Sequence, residues 1–69
     1  MNQIKETIRR SGLRKNFIAM QIGTYPSHIS MWIAGERTPS PDKLRKLIKI
    51  LGCKVNDLYP EGYRKDKNG

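Results

Sequence analysis

Residues 15–35 read KNFIAMQI, then GTY, then PSHISMWIA and a closing G, and the spacing inside this run decides the fold. Ile18 and Ile22 stand four apart, Phe17 and Met20 lie on a neighbouring line, and the small Ala19 sits between them, which predicts a helix over Lys15–Ile22. Gly23 permits a sharp turn, and an inward alanine lets a second helix cross closely. Only Thr24 and Tyr25 separate that glycine from Pro26. Proline is tolerated in a first helical turn because the N–H it lacks would be unpaired there. At about 100° per residue, Ile29, Trp32 and Ile33 share one face of a helix over Pro26–Ile33, with Pro26 near its edge. Ser27, Met31 and Ala34 fall opposite, flanked by Ser30 and His28. Thr24, Tyr25 or Ser27 is expected at the N-cap, and Gly35 ends the helix.

Working outward, Ile4 and Ile8 mark an amphipathic helix over Asn2–Ser11 that stops at Gly12, with Lys5, Arg9 and Arg10 off the isoleucine stripe. Leu13 is expected to tuck under as a loop anchor. On the other side, Ser40 reads as an N-cap, Pro41 as the first helical residue and Asp42 as favourable to the helix dipole. Leu44, Leu47, Ile48 and Leu51 follow the i, i+3, i+4, i+7 pattern, Arg45, Lys46 and Lys49 occupy the far side, and Gly52 closes the helix. Cys53 and Val55 lead to Asn56, the expected cap of a last turn through Asp57, Leu58 and Tyr59 before Pro60. No stretch alternates apolar and polar residues over a strand length and no repeat is visible, so the fold class is all-α, a compact bundle of about five short helices. Residues 1–60 form one domain in this reading, and residues 61–69 a basic, flexible tail.

The chain has 69 residues, 36% hydrophobic and 29% charged, enough for a thin core and too apolar for a disordered segment. Fourteen Lys and Arg against six Asp and Glu give a net charge of +8, which favours polyanionic partners, nucleic acid first. Apolar stretches are too short to span a bilayer and no signal-peptide core follows Met1, so a cytoplasmic, nucleoid-associated protein is expected, with no membrane partner. One cysteine, Cys53, allows neither an internal disulfide nor a zinc cluster, and it reads as a small buried hydrophobe. One His, one Cys and six scattered carboxylates make an enzyme a poor reading. Neither a metal, a cofactor nor a small-molecule ligand is expected.

Between Lys15 and Glu36 there is no charged residue, whereas five basic residues lie at or before Lys15 and nine at or after Arg37. An element that reads base edges must desolvate against them, which suits hydroxyls, methyls and neutral rings, while flanking cations meet phosphates. A charged solvent face is the plainer account of the basic residues on the fourth helix.

Leu13, Lys15, Ile18 and Ala19, then Ile22, Gly23, Ile29, Ser30, Trp32, Gly35, Arg37, Pro39 and Ser40, and the Leu44 to Gly52 helix carry a resemblance. Over roughly residues 4–59 the chain resembles the Cro and phage-repressor (Xre-like) helix-turn-helix family, and so implies a lambda-repressor-like DNA-binding domain. The resemblance makes Lys15–Ile22 the positioning helix and Pro26–Ile33 the recognition helix, entering the major groove with its N-terminal residues at the bases. It places Lys15 where the family often has a phosphate-touching glutamine, and Arg37 and Thr38 in a backbone-contacting loop. Base readout is thereby expected from Tyr25, Pro26, Ser27, His28 and Met31. Phosphate contacts are expected from Arg10, Arg14, Lys15, Ser30, Ala34, Arg37, Thr38 and Lys43.

Thr24, Tyr25 and Pro26 depart from the family pattern, which more often has an aliphatic residue, a small cap and a hydrogen-bonding side chain there. With no Arg, Gln or Asn on the reading face, bidentate contacts to guanine and adenine are missing. Met31, Ala34 and Pro26 are therefore expected against thymine methyls, which counts Ala34 in both sets. Ser27 and His28 make single hydrogen bonds in this reading, and DNA shape supplies much of the discrimination. Trp32 belongs to the core by its stripe, and Tyr59 and Tyr63 either cover the core's edge or form a dimer contact. Arg64, Lys65 and Lys67 either reach phosphates or are simply solvated.

The function so implied is a sequence-specific regulator of double-stranded DNA, a small Cro-like repressor of phage or mobile-element origin. It would act as a homodimer on a pseudo-palindromic operator. The alternative is an antitoxin or adaptor that uses the same fold to bind a protein partner. Binding of RNA or a membrane surface through bulk charge accounts for +8 but not for the uncharged centre.

Overall fold

The computed structural model describes residues 2–63, and within them all regular structure is helical: α1 (Ile4–Ser11), α2 (Lys15–Ile22), α3 (Pro26–Ala34), α4 (Pro41–Leu51) and α5 (Val55–Leu58). α2 packs chiefly on α3 and α4, and α1 lies across α3, α4 and α5. The core they enclose is Ile4 and Ile8 from α1, Ile18, Ala19 and Ile22 from α2, Ile29 and Trp32 from α3, Leu44 and Leu47 from α4, and Leu58 from α5. Those from α1 to α4 sit on the lines that periodicity turns inward, and Leu58 is the one buried residue of the short last turn.

The α2–α3 turn has the form its sequence requires. Gly23 has φ +86°, a left-handed conformation costly to any residue with a Cβ, and its N–H donates to the Ala19 carbonyl. The Thr24 N–H donates to that same carbonyl, so two donors close one helix end before the chain reverses. Beyond α3, the N–H groups of Glu36 and Arg37 both donate to the Met31 carbonyl. That folds the connection to α4 back over α3, and Pro39 becomes fully buried beneath it.

Several expectations are corrected. α1 starts at Ile4 rather than Asn2; the Asn2 side chain lies ahead of the helix, accepts from the Ile4 N–H at 3.1 Å and donates to the Trp32 carbonyl at 2.8 Å. Asn2 is thus a clasp between α1 and the end of α3. Asn56 is not a cap: the last turn begins two residues earlier than expected, at Val55 with Lys54 as its cap, because the Asp57 carboxylate reaches back to accept from the Lys54 N–H at 2.8 Å. Cys53 is half-buried rather than buried, packed against the core, and burial followed by the Asp57 charge pushes its thiol up from the ordinary value. Phe17 and Met20 are 42% and 70% exposed, since α2 offers its neighbours only the line of Ile18, Ala19 and Ile22.

Leu13 packs against the core as a loop anchor. Tyr59 and Tyr63 cover the core's edge, with rings 5.5 Å apart in an edge contact. The Tyr63 hydroxyl donates to the Pro39 carbonyl at 2.5 Å, which ties the chain after α5 to the α3–α4 loop. Arg64, Lys65 and Lys67, and with them most of the expected tail, lie outside the described residues.

Candidate nucleic-acid interface

α2 and α3 begin alike. Arg14 and Tyr25 hold their N-cap positions with extended backbones, and neither helix receives a side-chain cap. Tyr25 is thereby the N-cap left open among three candidates. An uncapped helix start leaves N–H groups unpaired and carries the positive end of the helix dipole. Arg14 and Lys15 add formal charge at the start of α2, while α3 adds none. Pro26 removes one orphan donor at α3, and the His28 N–H turns back to the Tyr25 carbonyl at 2.9 Å.

The two helices meet at their polar edges. The Lys15 ammonium donates to the Ser30 hydroxyl at 3.3 Å, bringing together two residues assigned to phosphates from sequence. Pro26, Ser27, Ser30 and Ala34 are all exposed, and Tyr25 is 68% exposed. His28 is half-buried: its Nδ1 lies 2.6 Å from the Thr24 hydroxyl, and the Tyr25 ring meets it edge-on at 5.6 Å.

A cleft of about 300 Å³ runs along the other flank of α3. His28, Met31 and Trp32 form one wall, and Arg37, Thr38, Pro39, Ser40 and Lys43 form the other. Met31 was expected fully opposite the core, yet it is half-buried, on the wall of the cleft that faces the loop closing on its carbonyl. Arg37 is exposed and already engaged within the protein. Arg10 stands elsewhere: its Nε is 3.6 Å from Glu6, and it lines a separate cleft of about 520 Å³ with Gln3, Thr7, Leu51, Cys53 and Asp57, to which α3 contributes nothing.

The structure thus gathers Tyr25, Pro26, Ser27, His28 and Met31 on α3 and its cap. It sets Arg14, Lys15, Ser30, Ala34, Arg37, Thr38 and Lys43 around them, and leaves Arg10 apart. Sequence reasoning missed Thr24 as a partner of His28. The signal was present, since residues four apart across a helix start lie one above the other. Among the described residues no three His, Cys, Asp or Glu side chains gather where they would hold a metal ion, and no helix is long and apolar enough to cross a membrane.

Two short helices joined through a left-handed glycine, the second presenting an uncharged N-terminal face, form a helix-turn-helix. The comparisons with known proteins agree. A family model described as helix-turn-helix matches residues 4–58, from the first residue of α1 to the last of α5. No curated protein and no solved structure matches the chain. This protein belongs to the Cro/C1-type helix-turn-helix family of DNA-binding regulators.

Proposed function

We propose that this regulator is a transcriptional repressor that recognises a specific, pseudo-palindromic operator in double-stranded DNA as a homodimer and acts by occupying it. The carrying observation is the contrast on one surface: α3 offers neutral side chains and an uncapped N-terminus, while cations stand only on its flanks. In this reading Tyr25, Pro26, Ser27, His28 and Met31 face base edges. Arg14, Lys15, Ser30, Ala34, Thr38, Lys43 and, once released from its internal partner, Arg37 follow the phosphates. Arg10 is not placed on the interface, because its cleft draws on α1, α4 and the chain beyond. The resemblance to phage repressors supports a phage or mobile-element origin.

A homodimer would bring two copies of α3 into successive major grooves about 34 Å apart. The end of α3, the loop from Gly35 to Pro39 and the region after Gly52 form its contact surface in this proposal. A cleft of about 200 Å³ lined by Gly35, Thr38 and Tyr59 supports that placement. Selection from a random duplex pool at about 0.15 M salt, where phosphate attraction alone is weak, tests the reading. Enrichment of a two-fold symmetric motif with half-sites one turn apart is expected; the absence of any motif from folded protein overturns it.

One observation favours a second reading, an adaptor or antitoxin that covers a protein. Phe17 and Met20 lie three apart on α2 and present an apolar face that the bundle does not use. Loss of a partner from Phe17→Ser/Met20→Ser protein, with DNA binding retained, would assign that face to protein contact.

A further inference from the structure

We propose that Thr24 is a positioning residue that fixes His28 as a hydrogen-bond donor, so that one base in each half-site must offer an acceptor edge. The inference rests on the operator-reading function proposed above and deepens it by naming the chemistry of one base position.

The geometry is local and tight. Thr24 Oγ1 stands 2.6 Å from His28 Nδ1, four residues on, across the first turn of α3. The Tyr25 ring lies perpendicular to the imidazole with centroids 5.6 Å apart, so the imidazole is held at its Nδ1 edge and packed against a second ring. A threonine hydroxyl carries one proton, and among the described residues His28 Nδ1 is its sole hydrogen-bond partner. Donating that proton to Nδ1 satisfies both groups and leaves the imidazole proton on Nε2. No hydrogen bond engages Nε2 among the described residues, and the half-buried His28 lines the cleft beside the exposed start of α3. The side chain therefore presents one N–H in a direction set before any ligand arrives.

A single donor discriminates in a definite way. In the major groove guanine shows N7 and O6, adenine shows N7 and thymine shows O4, all acceptors, whereas cytosine shows only its amino donor. Facing His28, guanine is favoured and cytosine excluded. The opposite tautomer, with Nδ1–H donating to Thr24, would leave Nε2 an acceptor and select the amino groups of cytosine or adenine. The Thr24–His28 bond thus decides which half of the hydrogen-bond code this position reads.

Two measurements test it. Nitrogen-15 spectra of the neutral imidazole in the free protein should show Nε2 protonated and Nδ1 bare. Duplex selections should then be run with the native protein, Thr24→Ser, Thr24→Val and His28→Ala. One position per half-site should accept guanine, adenine or thymine and reject cytosine. That preference should vanish in His28→Ala, fall about threefold to tenfold in Thr24→Val, as for loss of one hydrogen bond, and return in Thr24→Ser. A proton on Nδ1, a cytosine selected at the position that His28→Ala relaxes, or a Thr24→Val motif and affinity equal to the native ones overturns the inference while the operator reading stands. No motif from any variant overturns both. Should Thr24→Val fail to fold, Thr24→Ala removes the same hydroxyl and takes its place, and a proton found on Nδ1 of the native protein still overturns the inference.

Discussion

α3 and α4 are punctuated alike and finished differently. Each starts on a proline after an extended N-cap residue and ends on a left-handed glycine. Yet α4 has Ser40 accepting from the Lys43 N–H, Asp42 in its first turn and lysines and an arginine on its outer face, whereas α3 has no side-chain cap and no charge at all. α4 closes its first turn with a serine side chain and meets water with cations; α3 closes its own only through the backbone, from the His28 N–H to the Tyr25 carbonyl, and meets water with serines, a histidine and a proline. Inward they are equals. The lesson is that the outer face and the cap, not the buried stripe, separate a scaffold helix from a reading one.

The largest effects should erase the difference. Ile29→Ala in α3 and Leu47→Ala in α4 each remove a side chain with no exposed surface, and each should cost about 3–4 kcal/mol, a large part of what a domain this small possesses. Urea denaturation of both variants checks this. If Ile29→Ala left the midpoint unchanged, α3 would not share the core that makes the comparison meaningful. Next come the glycines. A Cβ at Gly23 or Gly52 would meet nothing within 4 Å, so alanine should cost about 1–2 kcal/mol at each, from positive φ alone. DNA affinity, measured under conditions where both variants are folded, should separate them. Gly23→Ala disturbs the angle between α2 and α3 and should weaken binding, while Gly52→Ala should leave it nearly native.

The inward half of this comparison was legible in the sequence. The isoleucine and leucine stripes, the four closing glycines and Ser40 as a cap all follow from local rules that depend on no distant residue. What was not legible depends on where remote segments land. Asn2 could not be read as a clasp without knowing that the Trp32 carbonyl ends beside it, thirty positions away. Met31 could not be read as half-buried without knowing that the loop after Gly35 turns back to its carbonyl and walls a cleft beside it. Arg10 shares its cationic chemistry with Arg14, and periodicity gave no sign that Arg10 would line a cleft away from α3 while Arg14 stands at the start of α2. Lys54 took the cap from Asn56 because Asp57 reaches back to it, a local competition that composition alone does not resolve.

The chain after α5, which shares a cleft with the α3–α4 loop, should respond to pH. Burial, and after it the neighbouring Tyr63, push the Tyr59 phenol from its ordinary 10.0 up to about 12. The folded protein therefore holds this proton more tightly than the unfolded chain does. Its contribution to stability is complete below about pH 10 and is lost as the pH rises toward 12. The ring is only half-buried, so solvent screening holds the loss to about 1 kcal/mol. The Tyr59 hydroxyl is itself buried with no hydrogen-bond partner among the described residues. Tyr59→Phe should thus flatten the alkaline decline and raise the melting temperature slightly at neutral pH. A steeper decline in the variant would mean that another group governs it.

The smallest expected change in stability bears most directly on function. Tyr25→Ser places a capping hydroxyl where α3 has none and should stabilise the protein by about 0.5–1 kcal/mol. Ser40→Ala should cost about 0.5 kcal/mol, at the low end for a cap, because its bond to the Lys43 N–H is already long at 3.5 Å. The two variants thus push the caps toward each other's condition. Operator affinity should fall in Tyr25→Ser although the protein has become more stable, since the new hydroxyl competes for the Ser27 N–H, the donor of the first turn that no partner among the described residues takes, and an exposed aromatic contact is lost. Melting curves and titrations on one duplex measure both quantities. A Tyr25→Ser protein that is both more stable and tighter-binding would show that the open N-terminus of α3 is merely unfinished, and the distinction between the two helices would then rest on charge alone.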